Sequence, residues 1–154
     1  MRLKGHDYSQ NGMYFVTICT NGNRSLFWDS DVGANCVRPP LSKAGIIIEE
    51  EISTLASAYP DVCVDNYVIM PNHIHMIIVI SQPPVSIERT QFAPTLSRVV
   101  KQYKGAITKK IGTSIWQRSY HDHIIRNAED YSRIFEYINS NPAKWADDRY
   151  FAAS

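Results

Sequence analysis

Apolar and polar positions alternate between two rhythms along the chain. Residues 14–19 (Tyr-Phe-Val-Thr-Ile-Cys) are short, β-branched and aromatic, and predict a first strand. Residues 20–41 carry Gly22, Gly33, Pro39 and Pro40 without periodicity and predict a long loop. Arg24 in that loop is either a phosphate contact or an ordinary surface arginine. Ser42 can cap a helix over 43–58, with Ile47, Ile48, Ile52, Leu55 and Ala56 inward and Glu49-Glu50-Glu51 outward. Pro60 stops that helix, and Gly45 weakens its first turn. Residues 62–70 and 72–80 read as two strands, the second starting at Asn72 or His73, joined at Pro71-Asn72 as a hairpin. Pro83, Pro84 and Pro94 make 81–94 a loop. Leu96, Val99, Val100, Tyr103 and Ile107 have helical spacing, which predicts a second helix over 95–111 capped by Gly112. Residues 115–126 read as a fourth strand broken near Ser119. Asn127 can cap a third helix, with Glu129 and Asp130 in its first turn and Tyr131, Ile134, Phe135 and Ile138 as a buried stripe. Pro142 ends it near residue 140, and the tail to 154 is either a short helix or disordered.

This order, βαββαβ plus one helix, predicts an α+β, ferredoxin-like antiparallel sheet with two helices on one face and an added C-terminal helix. A length of 154 residues suits one domain, 1–154, with its core at about 12–144. The N-terminus lacks the apolar stretch of a signal peptide, and no apolar run is long enough for a membrane span. Cys19, Cys36 and Cys63 have no paired spacing and read as reduced thiols, so the expected location is the cytoplasm. The net charge is only +1, but it is unevenly spread. Between Arg89 and Arg126 eight basic residues face one acid, whereas between Asp29 and Asp65 seven acids face two basic residues. The basic segment is either a phosphate-neutralising surface or a solvated helix face.

Candidate chemistry begins at the hairpin corner. His73 and His75, two apart on a strand, point the same way about 7 Å apart along the backbone. Two imidazoles so placed can grip one cation, and the plainer alternative is a pair of hydrogen-bonded strand-end histidines. On the third helix, Tyr137 lies at the shoulder of the apolar stripe and Asn141 one turn later on the same flank. The alternatives there are a snorkelling tyrosine and a helix-end cap. His121-Asp122-His123 is a rival metal pair, and Tyr120 a rival nucleophile.

Met70-Pro71-Asn72-His73-Ile74-His75, the run from Trp116-Gln117-Arg118 to Arg126-Asn127, and Tyr137-Ile138-Asn139-Ser140-Asn141-Pro142 together resemble the single-tyrosine HUH transposases, nearest to the REP-associated tyrosine branch. The resemblance implies a divalent metal, Mg or Mn, held by His73, His75 and Asn141. It implies that Tyr137 attacks a phosphate of single-stranded DNA and forms a 5′-phosphotyrosine link, later reversed by a 3′-hydroxyl. Ligand softness alone would suit zinc, nickel or manganese as well as magnesium. The implied partner is hairpin-bearing single-stranded DNA, from repetitive palindromic elements or transposon ends, with no membrane. Relatives act as homodimers or as monomers. Lys101, Lys104, Arg118 and Arg126 are the candidate DNA contacts. No phosphate-cradling glycine loop is present, which suits an enzyme that conserves phosphodiester energy in its covalent link. Two other functions stay open on sequence: a relative that binds hairpins without cutting, and a metalloprotein unrelated to nucleic acid.

Overall fold

Short β-rich runs and two strongly amphipathic segments set the architecture of the computed structural model. It describes residues 12–29, 40–81 and 96–141, except the side chain of Ala56. Cys36, the prolines of the 81–94 loop, the helix start at Thr95 and the tail beyond Asn141 lie outside the described residues. The elements are β1 (Gly12–Cys19), α1 (Lys43–Ala58), β2 (Val62–Ile69), β3 (His73–Ile80), α2 (Leu96–Ile111), β4 (His121–Ile125) and α3 (Ala128–Ser140).

The sheet runs β2-β3-β1-β4 with every hydrogen-bonded neighbour antiparallel. β1 and β2 therefore run parallel with β3 between them, the split βαβ of a ferredoxin-like α+β fold. Alternation then divides the side chains. Tyr14, Val16 and Ile18 of β1 and Ile74, Met76, Ile78 and Ile80 of β3 pack with Ile48 and Ile52 of α1 and Val99, Tyr103 and Ile107 of α2. On the reverse face Ile77 and Ile125 pack with Ile134 and Ile138 of α3, flanked by Met13, Phe15 and Phe135. β3 is covered on both faces, as its unbroken apolar run requires.

Three local details refine the sequence reading. β4 is five residues long, shorter than the 115–126 extended run expected. Ile115 and Trp116 are consecutive and both join the cluster under α1 and α2, which a pleated strand with alternating faces cannot achieve. Trp116 instead makes one isolated bridge to Thr20, and its Nε1 donates to the Lys104 carbonyl at 3.2 Å. Gly45, a liability for helix propensity, is demanded by packing: a Cβ there would lie 2.2 Å from the Phe27 carbonyl oxygen. That approach is fixed by Ser42, whose amide donates to the Phe27 carbonyl at 2.9 Å and whose Oγ caps the Gly45 amide at 3.1 Å. Finally, the β2–β3 register slips between Val64 and Asn66. This bulge lets Val62 and Ile69, seven residues apart, reach the same apolar cluster.

Candidate metal and nucleophile site

The imidazole pair sits where β3 begins, at a corner held by backbone bonds. Pro71 O accepts from the amides of Leu26 at 2.8 Å and Phe27 at 3.0 Å, and Asn72 O accepts from the Thr20 amide at 2.9 Å. These contacts let a buried, irregular turn satisfy its carbonyls. His73 then stands opposite Cys19, and His75 opposite Thr17. Both rings are enclosed, at 0% and 2% exposure.

Each imidazole has a polar neighbour on Nδ1. His73 Nδ1 donates to the Asn72 Oδ1 acceptor at 2.7 Å, so its Nε2 carries a lone pair. His75 Nδ1 lies 2.8 Å from the Thr17 hydroxyl. The two Nε2 atoms converge to 3.1 Å, with ring centroids 4.6 Å apart. When Thr17 accepts from His75, both Nε2 lone pairs aim at one point, an arrangement that a cation stabilises. Orienting partners on the far nitrogen are the usual support of metal-bound histidine. The residues present thus fit a metal.

α3 brings the remaining candidates to this face. Asn127 caps it by accepting from the Asp130 amide at 2.8 Å. Tyr137 is 40% exposed, its ring 5.3 Å from that of His75 and edge-on to Phe15 at 6.2 Å. Asn141, one turn on, is 3% exposed, and its Nδ2 has no hydrogen-bond partner among the described residues. That Nδ2 is a buried donor without an acceptor, and the oxygen of the same amide is the atom able to ligate a cation. No cluster of three His, Cys, Asp or Glu side chains that could hold a metal forms among the described residues.

A cavity of about 410 Å³ opens beside Tyr137, lined by Phe15, Thr17, His75, His121, Asp122 and His123. The second His-x-His therefore faces the same space, but it does not converge: His123 Nε2 is bound to Asp130 Oδ2 at 2.6 Å. Asp122 lies opposite Val16, and both its carboxylate oxygens are buried without a partner among the described residues. The rival tyrosine, Tyr120, is half-buried against the α1/α2 core with its hydroxyl 3.2 Å from Ser97 Oγ.

The basic candidates are dispersed. Lys101 and Lys104 stand on α2, across the sheet from Tyr137, and Arg118 and Arg126 are exposed in the segments flanking β4. Lys104 Nζ donates to the Gln117 carbonyl at 2.7 Å, and burial lowers its pKa from the usual lysine value. It shares a cavity of about 450 Å³ with Arg118, Asn21 and Gln117. Arg24 is exposed, its Nε donating to the Asn21 carbonyl at 3.2 Å. Thr17 and Phe15 were not among the residues singled out from sequence, and Asn72 was read only as part of the corner and its motif. The signal for Thr17 was a threonine amid the apolar residues of β1.

The family model described as "Transposase IS200 like" matches residues 44–141. The chain belongs to the IS200-like transposase family. An uncharacterized protein of Haemophilus influenzae is 30% identical over 170 residues, covering 98% of this chain and 91% of that relative. A REP-associated tyrosine transposase of Escherichia coli is 30% identical over 81 residues, 53% of this chain and 44% of the relative. The solved structure of a REP-associated tyrosine transposase bound to a REP hairpin superposes with a TM-score of 0.67 at 23% identity, covering 94% of this chain and 74% of that one. Similarity within the IS200-like family thus points to its REP-associated tyrosine branch. Among the described residues of this IS200-like chain, no helix is long and apolar enough to cross a membrane.

Proposed function

We propose that this transposase-family protein cleaves and rejoins single-stranded DNA at hairpin-flanked sites through Tyr137. The observation that carries the reading is the convergence of the two Nε2 atoms to 3.1 Å beside a half-open tyrosine ring. In the reaction Tyr137 Oη attacks the scissile phosphorus and the P–O3′ bond breaks. The downstream strand is left as a 5′-phosphotyrosine, and the upstream strand departs with a 3′-hydroxyl. Attack by a 3′-hydroxyl on the phosphotyrosine reverses the step and frees the phenol. No nucleotide cofactor is required, since the link conserves the phosphodiester.

His73, His75 and Asn141 are the residues that would hold a divalent cation, magnesium or manganese, which when bound supplies Lewis-acid polarisation of the phosphate. Thr17 and Asn72 orient the rings. Phe15 walls the tyrosine on its sheet side. The hairpin partner is proposed on the likeness to the REP-associated protein solved with one. Lys101, Lys104, Arg118 and Arg126 are proposed to meet the backbone of that DNA, which requires it to wrap around the end of the sheet where Arg118 and Lys104 share a cavity.

The test is incubation with hairpin-bearing single strands and manganese. A covalent protein–DNA adduct is expected, lost with chelator and reduced by at least about 10³-fold in Tyr137→Phe. An adduct that survives Tyr137→Phe overturns the assignment. Salt-sensitive hairpin binding with no adduct points instead to a binding-only relative.

A further inference from the structure

We propose that His121 is a catalytic residue that donates a hydrogen bond to a non-bridging oxygen of the phosphate attacked by Tyr137. This rests on the phosphotyrosine reading above. Three observations carry it. First, the register aligns His75, Thr17 and His121 directly across three adjacent strands. Directly opposed residues share a sheet face, so His121 stands on the His75 side, two strands away. Second, His121 lines the cavity of about 410 Å³ that Tyr137 and His75 also line. Third, its neighbour His123 is already committed to Asp130, at 2.6 Å, whereas the exposed His121 ring makes no hydrogen bond among the described residues. The cavity thus has His75 and Tyr137 along one bank and an uncommitted imidazole on the other.

A phosphate entering this space carries two non-bridging oxygens, and both gain charge as Tyr137 attacks. An N–H aimed at the second oxygen stabilises charge that grows as the phosphorus becomes five-coordinate. Either neutral tautomer of His121 keeps one N–H, so the role needs no change of protonation. The His-x-His of β4 is therefore not a second metal pair. One of its rings is held by Asp130, and the other is the donor.

The test compares His121→Ala and His121→Gln with the unsubstituted protein on hairpin strands whose scissile linkage is a phosphate or a single-isomer methylphosphonate. On phosphate, His121→Ala should slow adduct formation by about 10²-fold with DNA affinity little changed. His121→Gln, which keeps an N–H donor, should recover part of the rate. With the methylphosphonate isomer that lacks the contacted oxygen, the His121→Ala penalty should vanish, whereas the other isomer should retain it. Such non-additivity is the signature of a direct contact. A penalty equal across phosphate and both isomers overturns the proposal, as does a normal rate in His121→Ala. Failure of the unsubstituted protein to form any adduct overturns the phosphotyrosine reading itself, and this inference with it.

Discussion

The two faces of the sheet are built to different specifications. Among the described residues, the face under α1 and α2 buries a cluster of 20 side chains, and the face under α3 buries four. Two 16-residue helices seal the first, and one 13-residue helix the second. Every candidate for chemistry in the β3–α3 site lies on the thin side. There polar ties supplement packing: His123 and Arg133 hold Asp130, Tyr131 donates to Asp65 at 2.5 Å, and Asn66 donates to Asn139 at 3.2 Å. Stability is therefore concentrated away from the site, and the helix bearing Tyr137 belongs to the low-stability end of the molecule.

The comparison breaks if α3 proves as firmly held as α1. Ile48→Ala, in the thick core at full burial, should lower the unfolding free energy by about 3–4 kcal/mol, read from denaturant midpoints. Ile138→Ala, equally buried under α3, should cost about 2 kcal/mol, because a single helix can settle into the space. Hydrogen exchange should then rise chiefly over 128–141. A uniform rise across the sheet would contradict the two-sided picture.

Much of this division was legible and some was not. The helical spacing of Leu96, Val99, Val100, Tyr103 and Ile107 gave α2 its buried side, and all five are buried. The strand order is that of the split βαβ plan predicted from the βαββαβ sequence. The pairing of His73 with His75 followed from period 2 alone, and Tyr137 stands at the shoulder of its stripe as the helical angle required. Cross-strand neighbours could not be read, because register depends on partners distant in the chain. That is why Thr17 behind His75, and His121 beside Tyr137, emerged only in three dimensions. The extended reading of 115–120 failed for a related reason. Two adjacent apolar residues carry no period, and Trp116 turns inward to bond Lys104.

Smaller perturbations sharpen the contrast. Thr17→Val removes the hydroxyl behind His75 at little change in volume. Manganese affinity, measured by titration calorimetry, should fall by about 10-fold to 100-fold, and the melting temperature should drop by a few degrees because the buried His75 Nδ1 loses its partner. An unchanged affinity would detach Thr17 from the site.

The smallest effect is the pH dependence of α3. The hydrogen bond from His123, followed by that from Arg133, holds the Asp130 carboxyl below its ordinary value of 3.8. Its contribution is present above that value and is lost as the pH falls through the depressed one. The hydrogen bond to Asp65 raises the Tyr131 phenol above 10.0, so its contribution is intact below 10.0 and is lost as the pH rises through the raised value. Exchange over α3 should accelerate at both extremes, ahead of α1. Asp130→Asn should remove most of the acid limb, and Tyr131→Phe the alkaline one.

The slipped register makes Asp65 a residue that β2 could lose without changing its pairing. Before it, even-numbered positions such as Val62 and Val64 serve the larger core, and after it an odd one, Ile69, does so. Excising the single codon for Asp65 would restore regular pleating while leaving every other residue of β2 opposite its present partner and on its present face. That frame-preserving deletion should thus lower the melting temperature far less than deletion of Val64, which would also empty a place in the larger core.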